Sequence, residues 1–321
     1  MAVYTPIDDA QLTAFLARYG LPPADRFEGI AGGIENTNYR VWTAGRRLIL
    51  TLYEGRTASA DLPYFLALMD HVARMGISAA APMADLGGER LGVLAGRPAA
   101  LVVHLDGADV TTPEPRHAHA AGRALAEFHE AASSFAPRRP NALGPDAWIA
   151  SASRLGSDLD RVRDSATAAV MARLDALARD WPDLPCGTIH ADLFPDNVLF
   201  EDDAVSGIID LYFACTDLLA YDLAVAMAAW TPETWTDAPD PANARALRSG
   251  YEAVRPLSKA EAASLPRLIE GAAYRFFLTR AEDWLAPRAS VQGRIKDPLP
   301  FLGLARHTEA NPNHLTGAEQ R

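Results

Sequence analysis

The sequence predicts an α+β protein with a smaller, sheet-rich first part over residues 1–103 and a larger, mainly helical second part over residues 104–321. Two observations carry this prediction. Alternating apolar and polar residues, the period of a strand, are concentrated before Asp106, whereas the period of an amphipathic helix dominates from Arg116 to about residue 180. A chain of 321 residues can bury a core in each of two parts, and the cleft expected between them is a natural ligand site.

The first part opens with a predicted helix at Asp8–Tyr19, where Asp8 and Gln11 have the spacing of a capping box. A glycine-rich loop, Gly29–Asn38, then separates two strands. Bare backbone in such a loop can approach a phosphate closely and donate N–H groups, but a plain hairpin turn explains the loop equally well. The remaining elements of this part are predicted as strands at Tyr39–Trp42 and Leu48–Tyr53, a helix at Asp61–Met75, and strands at Leu91–Leu94 and Ala99–Leu105.

The second part is predicted as a series of helices, and the last long one carries Arg275 and Arg280. His129 lies near the apolar stripe of its helix and is interpreted as a satisfied core or surface histidine. Asp222 lies among apolar neighbours, so we expect it to hydrogen-bond the backbone of the string at 189–200. Beyond Pro287 the helical period is lost. The predicted helices are Arg116–Ala132, Trp148–Ser153, Ser157–Arg179, Leu218–Trp230, Ala242–Val254 and one that begins at a Ser258/Glu261 capping box.

The string Ile189–Phe200 reads I-H-A-D-L-F-P-D-N-V-L-F, and an acidic turn separates it from Gly207-Ile-Ile-Asp210. Apolar residues lie at both ends of the string, and this pattern predicts a hairpin-like unit with Asp192, Asn197 and Asp210 at its ends. Phosphoryl transfer needs this set, because one carboxylate must accept a hydroxyl proton while an amide oxygen and a second carboxylate hold Mg²⁺ against nucleotide phosphates. Asp196 alone is interpreted as a turn former.

Bulk composition excludes several classes of partner. The formal net charge of −11 argues against nucleic acid or an anionic membrane as a partner. No basic, apolar leader opens the chain and no stretch is apolar for long enough to span a bilayer. The two cysteines, Cys186 and Cys215, have no metal-binding spacing and suggest a reducing compartment, so we expect a cytoplasmic protein.

The order of His190, Asp192, Asn197 and Asp210 resembles the kinase catalytic loop followed by the metal-binding Asp of the D-F-G segment. Here that segment is Asp210-Leu-Tyr212, so the Phe and Gly are absent, which points away from protein kinases. The chain resembles the aminoglycoside phosphotransferase and choline kinase group, and within it the homoserine kinases that share the bilobal, protein-kinase-like fold. The segments that carry the resemblance are Gly33–Tyr39, Leu50–Glu54, His190–Phe200, Gly207–Asp210, Tyr221–Ala224 and Arg275–Arg280.

The resemblance implies roles for individual residues and a reaction, the transfer of the γ-phosphate of ATP to the hydroxyl of L-homoserine for threonine biosynthesis. Asp192 would be the base that orients the substrate hydroxyl, and Asn197 and Asp210 would coordinate Mg²⁺. The strand at Leu101–Leu105 would be the hinge that bonds adenine through backbone groups. The residues expected at the nucleotide are Gly32, Gly33, Asn36, Asn38, Thr51, Val103 and Leu105.

One departure from the kinase pattern concerns the lysine expected on the third strand, where Leu48-Ile-Leu-Thr51 stands instead. The following helix has Asp61 and then no acid until Asp70, so both halves of the usual ion pair are missing from the pattern. We expect backbone N–H groups, Thr51 and the metal to hold the phosphates, with Arg47 or Arg56 as the alternative cation. A catalytically dead relative is a further alternative.

The expected substrate carries an ammonium, a carboxylate and a primary hydroxyl. Its carboxylate needs a cation, for which Arg275 and Arg280 are candidates, and its ammonium needs an acid or an aromatic face. Candidates for the ammonium are Tyr212, Asp217 and Trp284. Each of these residues is equally compatible with a structural role; Asp217, for example, could cap the helix that follows it. Choline, ethanolamine or an aminoglycoside stays open as the acceptor.

Overall fold

The structure is a computed structural model that describes residues 3–30, 36–55, 58–231, 239–286 and 295–317. The chain divides into two compact units. The first contains the described residues up to Gly107 together with Ser206–Tyr212, and the second contains the described residues of 108–205, 213–286 and 295–317. The α+β class predicted from the sequence is confirmed, since a five-stranded sheet lies in the first unit and most helices lie in the second.

The first unit is built on one antiparallel sheet with the strand order β1-β2-β3-β5-β4. The sequence dictates this sheet through alternation: in β2 every second residue, from Thr37 to Thr43, is buried. The predicted capping box of the first helix is present, because Asp8 accepts from the Gln11 N–H and Gln11 bonds the Asp8 N–H. The elements are α1 (Asp9–Ala17), β1 (Arg26–Gly29), β2 (Thr37–Thr43), β3 (Arg46–Leu52), α2 (Leu62–Arg74), β4 (Gly92–Leu94) and β5 (Arg97–Val103).

The core of this unit lies between α1 and the inner face of the sheet. Leu16 from the helix and Val41 and Leu50 from the two central strands are fully buried there. Burying one such side chain contributes about 2 kcal/mol, so this face holds the sheet and the helix together.

The segment Ser206–Tyr212 lies far along the sequence but belongs to the first unit. The Ile208 N–H donates to the Ser78 carbonyl at 2.8 Å, and Ala79 and Ile208 form a parallel bridge. The predicted boundary near His104 divides the chain at one point and therefore leaves Ser206–Tyr212 out of the first unit. The pairing of Ile208 with Ser78 and Ala79 brings the segment into that unit. The assignment of nucleotide binding to the first part stays a prediction.

The second unit contains the helices from α3 onward. Two small sheets are formed by β6 with β9 and by β7 with β8. Strand β8 begins in this unit and ends in the first. The elements are α3 (Pro115–Ala132), α4 (Pro145–Leu155), α5 (Leu159–Val162), α6 (Ala166–Arg179), β6 (Cys186–Ile189), β7 (Val198–Glu201), β8 (Ala204–Ile208), β9 (Cys215–Leu218), α7 (Leu219–Trp230), α8 (Ala242–Glu252), α9 (Lys259–Leu285) and α10 (Leu299–Ala310).

Three details of this unit differ from the sequence prediction. The helix expected over Ser157–Arg179 is broken into α5 and α6, because Ser165 takes a left-handed backbone with φ 58°. Strand β9 was not predicted. Helix α10 was not predicted either, because no helical period is recognisable beyond Pro287. Pro298 and Pro300 lie at the start of α10, where a missing N–H costs nothing.

Close helix contact organises the second unit. A β-carbon on Gly122 of α3 would lie 1.9 Å from the Leu247 carbonyl of α8, and one on Gly250 of α8 would lie 1.9 Å from the His119 carbonyl of α3. The backbones of α3 and α8 therefore touch at these two glycines, and a side chain at either position would clash with the other helix. None of the helices in the described residues has the length and apolarity that crossing a membrane requires.

Candidate active site

The string with the catalytic pattern lies in the second unit between β6 and β7. Strand β6 pairs with β9, with Ile189 opposite Cys215, and the chain leaves this sheet at His190. The short 3-10 turn Pro195–Asn197 then leads into β7, since Pro195 suits the first position of such a turn. We call His190–Asn197 the catalytic loop.

Asp222 of α7 holds the start of the catalytic loop. Its carboxylate accepts from the His190 N–H at 2.7 Å and from the Ala191 N–H at 2.7 Å, as expected from the sequence. Ala191 has a left-handed backbone with φ 64°, which a non-glycine residue adopts only when its surroundings enforce it. The two bonds to Asp222 fix this turn and direct the next residue, Asp192.

A second layer supports Asp222, which is fully buried. His129 of α3 bonds Asp222 through Nε2 at 2.8 Å and the Tyr251 hydroxyl through Nδ1 at 2.7 Å, so His129 is a satisfied core histidine, as predicted. Burial by itself raises the pKa of Asp222, but the bond and charge of His129, with those of His190, outweigh burial and hold the pKa below its ordinary value. The carboxylate is therefore charged at neutral pH.

The loop also organises itself around Asp192. The Asp192 N–H donates to His190 Nδ1 at 3.2 Å, and the Asp192 carbonyl accepts from Asn197 Nδ2 at 2.8 Å. Trp230 Nε1 donates to the Leu193 carbonyl at 3.0 Å. The bond from Nδ2 fixes the orientation of the Asn197 amide and places Oδ1, the end that a hard cation takes, on its far side.

Arg275 of α9 contacts the same turn from another element. Its Nη1 donates to the Ala191 carbonyl, and its Nη2 lies 3.3 Å from Asp192 Oδ1. The guanidinium lies over the rings of Phe276 and Phe213, at 5.0 and 5.7 Å. Arg275 was a candidate for the substrate carboxylate, and the structure places it against the catalytic loop.

Asp210 and Tyr212 belong to the first unit, at the end of Ser206–Tyr212. Asp210 follows β8 and has φ 63°, a strained backbone of the kind that occurs at functional sites. The Tyr212 hydroxyl bonds the Tyr53 hydroxyl at 2.9 Å, and its ring packs edge-on against Phe65. Burial raises the pKa of Tyr212. Its proposed contact with a substrate ammonium stays a prediction.

Two of the residues predicted at the nucleotide are brought together in the first unit. Asn38 on β2 stands opposite Thr51 on β3, and the Thr51 hydroxyl donates to the Asn38 amide oxygen at 2.7 Å. Asn36 Oδ1 accepts from the Glu54 N–H at 3.4 Å. Gly32 and Gly33 lie outside the described residues.

At the expected hinge, Val103 ends β5 and its N–H donates to the Ala81 carbonyl at 2.9 Å, so this N–H is already bonded. Leu105 follows in the loop, and its side chain lies against Gly207, where a β-carbon would approach within 2.6 Å. A contact of either residue with adenine stays a prediction.

The missing strand-three lysine is a property of the whole sequence, which has two lysines, Lys259 and Lys296. Of the alternative cations, Arg47 pairs with Asp106 at 2.5 Å and is half exposed, while Arg56 lies outside the described residues. Asp70 of α2 pairs with Arg74 and Arg90, both at 2.9 Å. The expectation that Thr51, backbone N–H groups and a metal hold the phosphates stays a prediction, with Arg47 or Arg56 as the alternative cation.

Two predicted substrate residues have structural partners. Asp217 lies on β9 and does not cap α7, whose N-cap is Leu218; it accepts from Asn141 at 2.6 Å and from the Leu218 N–H at 2.7 Å. Burial raises the pKa of Asp217, and these bonds offset the rise only in part. Arg280 donates to the Asp297 carbonyl at 3.1 Å and stacks over Phe301 at 4.5 Å, whereas Trp284 is largely exposed. Their roles as ligands stay predictions.

Sequence reasoning missed Tyr251 and Trp230 as supports of the loop. Neither residue lies in a motif. Trp230 bonds the loop itself, whereas Tyr251 bonds His129 and supports the loop only through Asp222. Their signal in the sequence is only that of buried aromatic residues with a polar atom, which usually find a hydrogen-bond partner.

The side chains of Asn197 in the second unit and Asp210 in the first each carry an oxygen donor. Mg²⁺ takes oxygen ligands, uses few from the protein, and fills its shell with water and phosphate oxygens. The roles of the Asn197 amide and the Asp210 carboxylate as metal ligands stay predictions. The described residues contain no group of three His, Cys, Asp or Glu that could hold a metal ion.

Comparison with known proteins identifies the family. Residues 26–257 match the phosphotransferase enzyme family. The chain is 48% identical over 315 residues to a homoserine kinase from Xanthobacter autotrophicus, which covers 97% of each chain. It is 47% identical to a homoserine kinase from Phenylobacterium zucineum over 320 residues, with 99% of each chain covered.

Solved structures show the same fold at low sequence identity. An amicoumacin kinase in complex with AMP-PNP, Ca²⁺ and Ami superposes with a TM-score of 0.71 at 14% identity, covering 95% of this chain and 94% of its own. A choline kinase from Cryptosporidium parvum gives 0.65 at 12% identity, covering 91% and 92%. The kinase-like fold predicted from the catalytic loop is thereby confirmed, and the chain belongs to the phosphotransferase enzyme family.

Proposed function

We propose that this chain is an ATP- and Mg²⁺-dependent homoserine kinase that phosphorylates the side-chain hydroxyl of L-homoserine and serves threonine biosynthesis. The observation that carries the proposal is the near-complete match, at 46–48% identity, to curated relatives from several bacteria that are named homoserine kinase. The solved aminoglycoside phosphotransferases and the choline kinase are under 20% identical, so they support the fold and favour neither acceptor. Two free cysteines agree with a reducing cytoplasm.

Asp192 is the base in this proposal. Its carboxylate accepts a hydrogen bond from the acceptor hydroxyl and takes the proton as the hydroxyl oxygen forms its bond to phosphorus and the bond from phosphorus to ADP breaks. Asp222 and Arg275 hold the turn before Asp192 through the two peptide groups that flank the Ala191 Cα. The base is therefore positioned before any ligand arrives, which lowers the reorganisation that the reaction requires.

Asn197 and Asp210 would hold the Mg²⁺ ion through their side-chain oxygens. When bound, the ion neutralises charge on the β- and γ-phosphates. Thr51 and Asn38 would contact the nucleotide from the sheet of the first unit, where their mutual bond already orients the hydroxyl and the amide. Asn36, Gly32, Gly33, Val103 and Leu105 complete the proposed nucleotide contacts, and Asp217 and Arg280 are the proposed contacts of the amino-acid end.

An ADP-release assay over L-homoserine, choline, ethanolamine and kanamycin tests the acceptor. We expect L-homoserine to be the preferred acceptor by at least tenfold in kcat/KM. Preference for another acceptor would refute the assignment, and the absence of ADP release with every acceptor would indicate a binding protein without catalysis.

The variant Asp192→Asn tests the base. Because Asn cannot take the proton, we expect turnover to fall by about 10³-fold, while calorimetry shows ATP affinity within threefold of wild type. Turnover near the wild-type rate would contradict the role of Asp192. In Asp210→Asn, Mg²⁺-dependent nucleotide binding should be lost, and unchanged binding would contradict the metal role of Asp210.

A further inference from the structure

Arg275 places a guanidinium against the Ala191–Asp192 turn of the catalytic loop, and the loop itself carries no cation. From Trp181 to Asp210 the sequence contains no lysine or arginine. Arg275 supplies a guanidinium from α9 instead, with one nitrogen on the Ala191 carbonyl and another 3.3 Å from Asp192 Oδ1.

The burial of Arg275 separates two interpretations of its charge. The residue is 3% exposed, and a buried guanidinium is costly unless its partners compensate the lost water. The partners here are the carbonyl of Ala191, a residue with a left-handed backbone, and the carboxylate of Asp192, the proposed base. An arginine that waits for a substrate carboxylate would present its planar fork to the substrate, whereas this fork is directed at the protein's own backbone and at Asp192.

Ala191 is therefore held on both sides of its Cα, through the peptide that precedes it and the peptide that follows it. Its N–H donates to Asp222 and its carbonyl accepts from Arg275. A left-handed alanine costs about 1–3 kcal/mol and persists only where neighbouring groups hold it. Removing one clamp allows the turn to relax and moves the Asp192 carboxylate away from its working direction.

From these contacts we infer that Arg275 is a positioning residue for the catalytic base and not a ligand of the substrate carboxylate. It fixes the left-handed turn at Ala191 and orients Asp192 through a charge-assisted contact. This inference rests on the proposed function for the identity of the base, and it deepens that proposal by removing Arg275 from the substrate site.

The test compares Arg275→Gln with wild type on two acceptors, L-homoserine and its decarboxylated analogue 3-aminopropan-1-ol. A misplaced base should lower kcat by about 100-fold on both acceptors, with KM for each within threefold of wild type. The preference for homoserine over the analogue should stay unchanged. If Arg275 binds the carboxylate instead, KM for homoserine rises by more than tenfold, the preference disappears, and the inference is overturned.

Chemical rescue provides a readout that a merely structural role would not move. We expect millimolar guanidinium ion, well below denaturing concentrations, to raise the kcat of Arg275→Ala at least tenfold over its value without the ion. The kcat of Arg275→Lys should stay close to that of Arg275→Ala, because an ammonium cannot make both contacts. Arg267→Gln is the matched control, since Arg267 lies on the same helix and donates to the Asp180 carbonyl, away from the loop. Its kcat should stay within twofold of wild type.

Amide hydrogen exchange separates failure of this inference from failure of the proposed function. In Arg275→Gln we expect peptides that cover His190–Asn197 to exchange at least tenfold faster, while peptides of α3 and α8 exchange as in wild type. Unchanged exchange in the loop would overturn the inference even if no acceptor is turned over. Turnover is assayed with the acceptor that wild type prefers. If that acceptor is not homoserine, the proposed function is refuted, while the inference about Arg275 is still tested by the exchange of the loop.

Discussion

The carboxylate of Asp222 should be the strongest single support of the catalytic loop. It accepts two backbone N–H groups at 2.7 Å and His129 Nε2 at 2.8 Å in a fully buried setting. In Asp222→Asn the amide oxygen replaces one carboxylate oxygen as an acceptor, while the new NH₂ group faces an N–H donor that the other carboxylate oxygen accepted from. One charged bond, about 2 kcal/mol, is lost and one buried N–H, about 1–3 kcal/mol, is left unpaired. The lower cost of burying a neutral side chain offsets part of this, so the expected loss is about 3 kcal/mol.

The assay is urea unfolding followed by tryptophan fluorescence at pH 7, to which six tryptophans contribute, among them Trp230, which donates to the Leu193 carbonyl of the loop. Asp175→Asn, an exposed change on α6, is the control and should alter the free energy of unfolding by less than about 0.5 kcal/mol. A loss below about 1 kcal/mol in Asp222→Asn would refute the account of this carboxylate.

Two further predictions follow from the same unit. The folded-state pKa of Asp222 is depressed, so its contribution to stability is fully present above the unfolded pKa of about 4 and is lost as pH falls through the folded pKa. Urea unfolding midpoints measured between pH 3 and 7 should therefore fall below pH 4. A fall of equal size in Asp222→Asn would contradict Asp222 as the cause. Gly122→Ala should destabilise the fold by at least about 2 kcal/mol in the same urea assay, because its β-carbon would lie 1.9 Å from the Leu247 carbonyl. Gly144→Ala, with its nearest neighbour at 3.7 Å, should cost at most about 1 kcal/mol, and equal losses in the two variants would show that helix contact is not the reason.

Local chemistry was readable from the sequence. The capping boxes at Asp8 and Ser258 form as predicted, because each depends on residues three positions apart. The bond from Asp222 to the loop was also predicted, since an acid among apolar helix residues must find a hydrogen-bond partner.

Features that depend on distant partners were not readable. Strand β9 is four residues long and is defined by pairing with β6, which no local pattern reveals. Helix α10 has prolines at its start, and its helical character follows from packing of Phe301 and Leu302 in the core. An arginine on an amphipathic helix fits a ligand or a structural contact equally, so the contacts of Arg275 with the loop required the tertiary structure.

The membership of Ser206–Tyr212 in the first unit has a consequence for how the protein is made. When synthesis has reached Gly107, the five-stranded sheet is complete in sequence, yet the Ser78 carbonyl and the Tyr53 hydroxyl still await Ile208 and Tyr212. The nascent first unit must therefore wait on the ribosome for about a hundred more residues, which at about 5–20 residues per second lasts roughly 5–20 seconds. During that interval its incomplete surface is open to chaperones, and a gene fragment that stops at Gly107 would encode a permanently unfinished product.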